Sequence, residues 1–414
     1  MNIIHVSDLH LGKSIHGVSM VENGDQTVWV DRFLATVKDI SPQAVVIAGD
    51  VYDRSAPAED AVALFSRLLT GINDMGIPVM TVAGNHDSVH RLAYAGPVLS
   101  KQGLYFSRSL SQTAELEHVT LNDGYGAVTF WLMPYVFPAL ISRALGDDSL
   151  KDYDSAVRAL ISAQPINEAE RNVLIAHQNV TFNGKEAERG GSESMIGGVG
   201  QIEVSAFDAF DYVALGHIHA SYSVGRDSVR YAGSPLCYHF DETRQKSKGP
   251  VLVDIGPKGE PVRTETLIIE PLHPMREIRG SYEEIRDAEL SDKRTGEYIS
   301  IILDDRRVTT EIAAFFRELY KDRDSVLMEI KSAYNRFAGE LPQMDSGSAK
   351  ERSTEELFAD FYSERNGGEP PEEKDYLLMD HAGELMRHAS DLRTGPGQEV
   401  IDKFVDYLLR QEVE

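Results

Sequence analysis

The stretch Val79–Asp87, VMTVAGNHD, decides the fold. Its apolar opening is too short for an independent helix, is entered through Gly76 and Pro78, and is left through Gly84. It therefore reads as a buried strand that ends in a sharp turn. Asn85, His86 and Asp87 emerge together behind it, at the carboxyl edge where open α/β sheets bind ligands. Taken alone, GNHD is explained equally well as a polar β-turn.

Working outward, four more apolar runs end in the same way. NIIHVSDLH delivers Asp8 and His10, AVVIAGD delivers Asp50, NVLIAHQ delivers His177, and DYVALGHIH delivers His217 and His219. One such histidine is more often a hydrogen-bonded structural residue than a ligand, and one such aspartate more often a helix cap. With Asn85, seven of these groups at five strand exits exceed what capping requires. Imidazole, carboxylate and amide oxygen form the mixed donor set that suits Mn²⁺, Fe or Zn²⁺.

The 414 residues allow two or three domains and a substantial core. The single cysteine, Cys237, excludes an intrachain disulfide, no apolar run approaches a membrane span, and Met1 leads straight into a strand without a charged leader. The expectation is a cytoplasmic protein with no membrane association. A net charge of −25 argues against non-specific nucleic-acid binding. Residues 341–414 hold 18 acidic and 8 basic residues, a balance of −10, so the remainder repels DNA less than the total implies. Divalent cations at the strand exits offset the acids there.

Helical spacing in Gln26–Ile40 and Ala58–Asp74, between the first three strands, predicts right-handed crossovers and doubly wound α/β packing. Residues 89–106 read as one amphipathic helix and Asp148–Ile166 as another, while HVTLN and AVTFWLMPY read as strands of a second sheet. Gly184–Gly200 reads as a mobile loop close to the site. RYAGSPLCYHF and GPVLVDIG read as the strands that finish a first domain at 1–270. A small α+β module at 271–340 and a linker at 341–352 follow. The segment 353–414 is helical, opened by a Ser353/Glu356 capping-box pattern and broken by NGGEPPEEK and GPG. Isolated helices of that length are marginal in water, so its apolar stripes are expected to dock on a partner. No P-loop or GxGxxG pattern supports nucleotide hydrolysis by this chain.

The donor set permits two-metal chemistry, in which ions about 3.5–4 Å apart hold the attacking and leaving oxygens of a phosphoryl centre. Asp50 sits mid-set and is the natural bridge. Asp8, His10 and His219 can reach one ion, and Asn85, His177 and His217 the other. His86 follows a ligand directly and can face the phosphate as a proton donor or charge stabiliser. Asp87 either orients His86 or caps the next helix.

DLH, GDVYD, GNHD, the isolated His177 and GHIH, in that order, resemble the five blocks of the calcineurin-like metallophosphoesterases. Within them, SDLHLGK, AGDVYDRSAP, VAGNHDS and RYAGSPLCYHFDE resemble the SbcD-type nuclease subunits over residues 1–270, with a looser match downstream. The resemblance implies an α/β metallophosphoesterase sandwich of two packed mixed sheets flanked by helices, with an α+β capping domain and a helical C-terminal tail. It further implies a Mn²⁺-dependent 3′→5′ exonuclease on double-stranded DNA and an endonuclease on single strands and hairpins, acting in DNA repair with an SbcC-type ATPase. A homodimer through core helices is implied too, and apolar positions in 58–75 and 89–103 make those segments its candidate contact, with Leu69 and Leu92 as probes. At Asp53 some branches of the family carry a second active-site histidine; an acid cannot replace a cationic imidazole, so Asp53 receives no catalytic role. A stand-alone phosphomonoesterase or cyclic-nucleotide phosphodiesterase would use the same metals, but would need neither the extra module nor the amphipathic tail.

Overall fold

The computed structural model describes residues 1–110, 113–184, 200–245 and 248–333. The expected linker at 341–352, the docking segment at 353–414 and nearly all of the Gly184–Gly200 loop lie outside these residues. Strand β1 (Asn2–Val6) precedes the small hairpin β2 (Ser14–Ile15) and β3 (Val18–Ser19), helix α1 (Asp25–Ile40), β4 (Ala44–Ala48), α2 (Glu59–Asn73) and β5 (Val79–Val82). Two short helices, α3 (Val89–Leu92) and α4 (Gly96–Leu99), lead to β6 (Leu104–Phe106), β7 (Glu117–Asp123) and β8 (Gly126–Met133). Helices α5 (Pro138–Leu145) and α6 (Tyr153–Ser162) come next, then β9 (Arg171–His177), β10 (Asn179–Thr181), β11 (Gln201–Glu203) and β12 (Tyr212–Gly216). The series β13 (Tyr222–Val224), β14 (Arg226–Tyr231), β15 (Val251–Asp254) and β16 (Arg263–Thr266) follows. Last come β17 (Met275–Gly280), α7 (Tyr282–Ser291), β18 (Tyr298–Leu303), α8 (Thr310–Lys321) and β19 (Val326–Ser332).

Two six-stranded mixed sheets result, in the orders β16-β15-β1-β4-β5-β6 and β13-β14-β12-β9-β8-β7. Ile3, Val46 and Met80 of the first pack against Phe130, Val173 and Ala214 of the second. Helices α1 and α2 cover the first sheet's outer face through Val30, Phe33, Leu68 and Ile72. Helices α5 and α6 cover the second through Ile141, Val157 and Leu160. Each sheet is therefore dry on both faces, which is why β1, β4, β5, β9 and β12 read as near-continuous apolar runs instead of alternating ones. Because β1, β4 and β5 run parallel, as do β9 and β12, their carboxyl ends lie side by side. This is the sandwich that the family resemblance implies, and it corrects the doubly wound packing expected from the crossovers: α1 and α2 share one face of the first sheet and the second sheet takes the other.

The remaining strands β17, β18 and β19 form a parallel three-stranded sheet packed on α7 and α8 through Ile285, Phe316 and Tyr320. The module meets the sandwich at the buried carboxylate of Asp25, which accepts from Tyr298 Oη at 2.6 Å and faces His273 Nδ1 at 2.9 Å. No helix among the described residues is long and apolar enough to cross a membrane.

Three local expectations need correction. Residues 89–106 are not one helix: Ala95 takes φ 58°, and Pro97, which has no N–H to donate back into α3, restarts the chain in the first turn of α4. The predicted Asp148–Ile166 helix is shorter, because the Asp152 side chain caps it by accepting from Ser155 N. Leu69 and Leu92 are buried in this chain's own core and so make poor probes of a surface contact; Tyr94 and Val98, 81% and 65% exposed, are the large apolar side chains that residues 89–103 leave exposed.

Arg171, at the start of β9, is fully buried and donates to both carboxylate oxygens of Asp123, one at 3.0 Å. The Arg171 guanidinium holds the Asp123 carboxyl well below its usual range. A lowered folded pKa contributes stability that is present above the unfolded pKa and lost as pH falls through the folded one. Asp123→Ala leaves the buried Arg171 with only the carbonyls of Gly126, Ile255 and Gly256, unpairs the Met1 ammonium as well, and should cost about 3–5 kcal/mol in urea denaturation at pH 7. The gap from wild type should narrow once the pH drops below about 4, where aspartate in the unfolded chain takes up its proton. Equal midpoints at pH 7 would refute the pair's role.

Candidate metal centre

The exits of β1, β4, β5, β9 and β12 converge on Asp50, which is 3% exposed. Positive φ angles occur at Asp8 (52°), His10 (42°), Asp50 (47°) and His217 (105°). Non-glycine residues adopt this region rarely, at a cost of about 1–3 kcal/mol each, and keep it only where the surroundings over-determine it. Here the surroundings do so. Asp8 N donates to Gly49 O at 3.0 Å, His10 N to Asp50 O at 2.9 Å, and the buried Gln26 amide to His10 O at 2.8 Å. Two glycines make the crowding possible: a Cβ on Gly49 would lie 2.3 Å from His177 Nδ1, and one on Gly84 would lie 2.1 Å from Asp50 Oδ1.

Asp50 Oδ1 accepts from His86 N at 2.9 Å, while Oδ2 lies 3.4 Å from His177 Nε2 and 3.6 Å from His10 Nε2. Burial alone would raise this carboxyl, but His177, His10 and His86 together hold it well below the usual range. Burial opposes charge on His177 in turn, and Asp50 outweighs it, lifting the imidazole to about 9. Burial, first of all, pushes His10 and His217 down. Asn85 Oδ1 stands 3.1 Å from both His177 Nε2 and His217 Nδ1. Asp8 accepts from Ser7 Oγ at 2.5 Å and from His217 N at 3.0 Å, and burial raises its carboxyl. All eight sequence candidates are thus brought together.

The outer nitrogens show which way the rings face. His177 Nδ1 donates to Ala48 O at 2.8 Å, and His219 Nδ1 faces the carboxylate of Glu242 at 3.0 Å. Each contact turns Nδ1 outward and Nε2 inward; on His177 the inward nitrogen carries a proton beside Asp50, 3.4 Å away, which a bound ion would displace. His219 Nε2 meets His10 Nε2 at 3.1 Å, and His10 Nδ1 is buried without a hydrogen-bond partner. One proton can bridge these two nitrogens, and a cation in its place, beside the carboxylates, would be held by both rings. Three trios, Asp8/His10/His219, His10/Asp50/His86 and Asp8/Asp50/His177, each bring their ligand atoms within 4.8 Å of one another. The donor set fits divalent ions.

Residues 1–221 match the family model of calcineurin-like phosphoesterases, and residues 271–366 match that of the type 5 capsule protein repressor C-terminal domain. The SbcD subunit of the SbcCD nuclease of Staphylococcus saprophyticus is 30% identical over 323 residues, covering 77% of this chain and 82% of that protein. The chain is a calcineurin-like phosphoesterase of the SbcD family. A solved structure, that of TT1561 of Thermus thermophilus, aligns with 64% of this chain and 98% of its own at 13% identity, with a TM-score of 0.37.

As an SbcD-family phosphodiesterase, the chain depends on divalent metal ions, and several residues that support its site escape a motif reading. Glu242 is fully buried, contacts His219, accepts from Ser234 Oγ and Tyr238 N at 3.1 Å, and pairs with Lys248 at 2.8 Å. Burial would raise its carboxyl, but His219 and Lys248 hold it at about 2. Its only signal is an acid closing the apolar run SPLCYHFDE. Asp87 corrects another expectation: it neither orients His86 nor caps α3, whose N-cap is Ser88. Its carboxylate accepts from Gly84 N, Val51 N and Tyr52 N at 2.9 to 3.1 Å, stitching the β5 exit to the β4 exit. Burial, then Asp50, pushes that carboxyl up to about 6.

Gly84→Ala places a methyl group on Asp50 and should displace it without disturbing the sandwich. The expected result is an unchanged far-ultraviolet circular dichroism spectrum with weakened Mn²⁺ binding by calorimetry. Unaltered binding would mean that the β5 turn yields freely.

Proposed function

We propose that this chain is the Mn²⁺-dependent nuclease subunit of a DNA end-processing complex. In this reading it acts as a 3′→5′ exonuclease on double strands and an endonuclease on single strands and hairpins, in the cytoplasm, beside an SbcC-type ATPase. Asp8, His10, Asp50, Asn85, His177, His217 and His219 would hold two divalent ions, with Asp50 between them. When bound, such ions supply positive charge at the phosphate and lower the pKa of the attacking water. The observation that carries the reading is the convergence of these side chains from five strand exits, with His86 standing beside them.

His86 differs from its neighbours in exposure. Its side chain is 42% exposed, against 3% for His10 and 0% for His177, so it alone of these three faces a substrate. Nδ1 donates to the Asp53 carbonyl at 2.9 Å, which leaves Nε2, 3.9 Å from Asp50 Oδ2, to carry a proton to the leaving oxygen. General acid catalysis of this kind contributes about 10²–10⁴-fold. His86→Ser should therefore lower turnover of end-labelled duplex DNA by at least about 10²-fold at nearly full metal content. Asp50→Ala should lose both. Equal loss of metal in His86→Ser would make His86 a ligand. A preference for a chromogenic phosphomonoester over DNA would favour a small-molecule phosphatase.

The homodimer belongs to the same proposal. Tyr94 and Val98 present exposed apolar surface beside α3 and α4, and a symmetric contact lets one substitution act twice. Tyr94→Glu or Val98→Glu should yield folded monomers in light scattering. Dimers persisting in both would move the contact elsewhere.

A further inference from the structure

Asp53 lies at the mouth of the site, and the mechanism above leaves its side chain without a task. Its Oδ1 is 2.8 Å from Lys13 Nζ and 3.6 Å from His10 Nδ1, and the side chain is 18% exposed. Its backbone N–H donates to Leu11 O at 3.2 Å, and its carbonyl accepts from His86 Nδ1 at 2.9 Å. One residue of the β4 exit therefore touches the outer nitrogens of two active-site imidazoles, both from other strand exits.

We propose that Asp53 is a positioning residue, which orients His10 through its carboxylate and His86 through its carbonyl; this rests on the metal reading of the site. The side-chain half of the role follows from the state of His10. That ring is buried, and its Nδ1 has no hydrogen-bond partner, while the nearest carboxylate oxygen, that of Asp53, stands 3.6 Å away. With the proton on Nδ1 and directed at Asp53, the Nε2 lone pair points at His219 Nε2, 3.1 Å away, and at Asp50. Glu242 does the same for His219 from the other side, at 3.0 Å from its Nδ1. The two imidazoles that face each other are thus each backed by a carboxylate, an arrangement that raises the basicity of a metal-binding histidine. An acid at position 53 serves as an acceptor and not as a cation.

The competing account is that Asp53 merely neutralises Lys13, whose ammonium also lies 5.7 Å from the Tyr238 ring centroid. Titration calorimetry of the full chain with MnCl₂ separates the two. Asp53→Ala should weaken Mn²⁺ binding by about 10–100-fold, the usual effect of removing such a backing group. Asp53→Asn, whose amide oxygen still accepts the Nδ1 proton, should recover most of that loss, and Lys13→Met should bind as wild type. Wild-type affinity in Asp53→Ala, or a loss in Lys13→Met as large as in Asp53→Ala, overturns the proposal. Should Asp53→Ala fail to fold, ¹⁵N NMR of the metal-free wild type decides: a His10 proton on Nδ1 supports the proposal, and one on Nε2 overturns it. A wild-type chain that takes up no Mn²⁺ sinks the metal reading itself, whereas wild-type binding matched by Asp53→Ala sinks only the role of Asp53.

Discussion

A carboxylate that is 3% exposed is costly to keep ionised, and the active-site end of the sandwich is arranged around keeping Asp50 so. Removing a carboxylate from water costs several kcal/mol unless opposite charge and hydrogen bonds replace the solvent. His177, His10, His86 and the His86 N–H supply that replacement, and each arrives from a different strand exit or from the turn beside one. Parallel strand pairing is what allows this. It brings carboxyl ends together within each sheet, and packing the two sheets face to face brings the two sets of ends within reach of one carboxylate.

Around that centre lies a ring of groups that touch the outer nitrogens or the backbone. Ala48 O, Glu242, Gln26 and Asp87 each fix a ring or a turn, and none needs contact with substrate. Their effect is to settle in advance the entropy of arranging many polar side chains, so that ions or a phosphate meet donors already aimed. Glu242 illustrates the dependence. It is kept charged by Lys248 and His219, and in return keeps His219 in the tautomer that points inward.

Legibility in the sequence follows distance along the chain. The strand exits are readable because each pairs an apolar run with a polar residue within a few positions, a local pattern repeated at Asp8, Asp50, Asn85, His177 and His217. Helices α1 and α2 are readable from their periodicity. Glu242 is not, because its partner His219 is 23 residues away and the contact exists only once β14 and the loop after it have folded back. Asp87 escapes for a related reason: a local cap and a cross-loop stitch look identical in GNHDS, and only the packing of the Val51–Tyr52 backbone distinguishes them. The break within 89–106 is a contest between local signals, in which the visible Gly96-Pro97 pair outweighs an apolar periodicity that favours one continuous helix.

The left-handed backbone at Asp8, His10, Asp50 and His217 bears on how such a chain changes over evolutionary time. At these positions glycine would relax the main chain, and although aspartate and histidine tolerate left-handed backbone better than most side chains, they are held there against that local preference. Metal binding is what requires a carboxylate or an imidazole there in place of glycine. A duplicate of this chain released from it should therefore lose its ligands first where the backbone is most reluctant, long before its sandwich erodes, and glycines at those four positions would mark a fold that has outlived its chemistry.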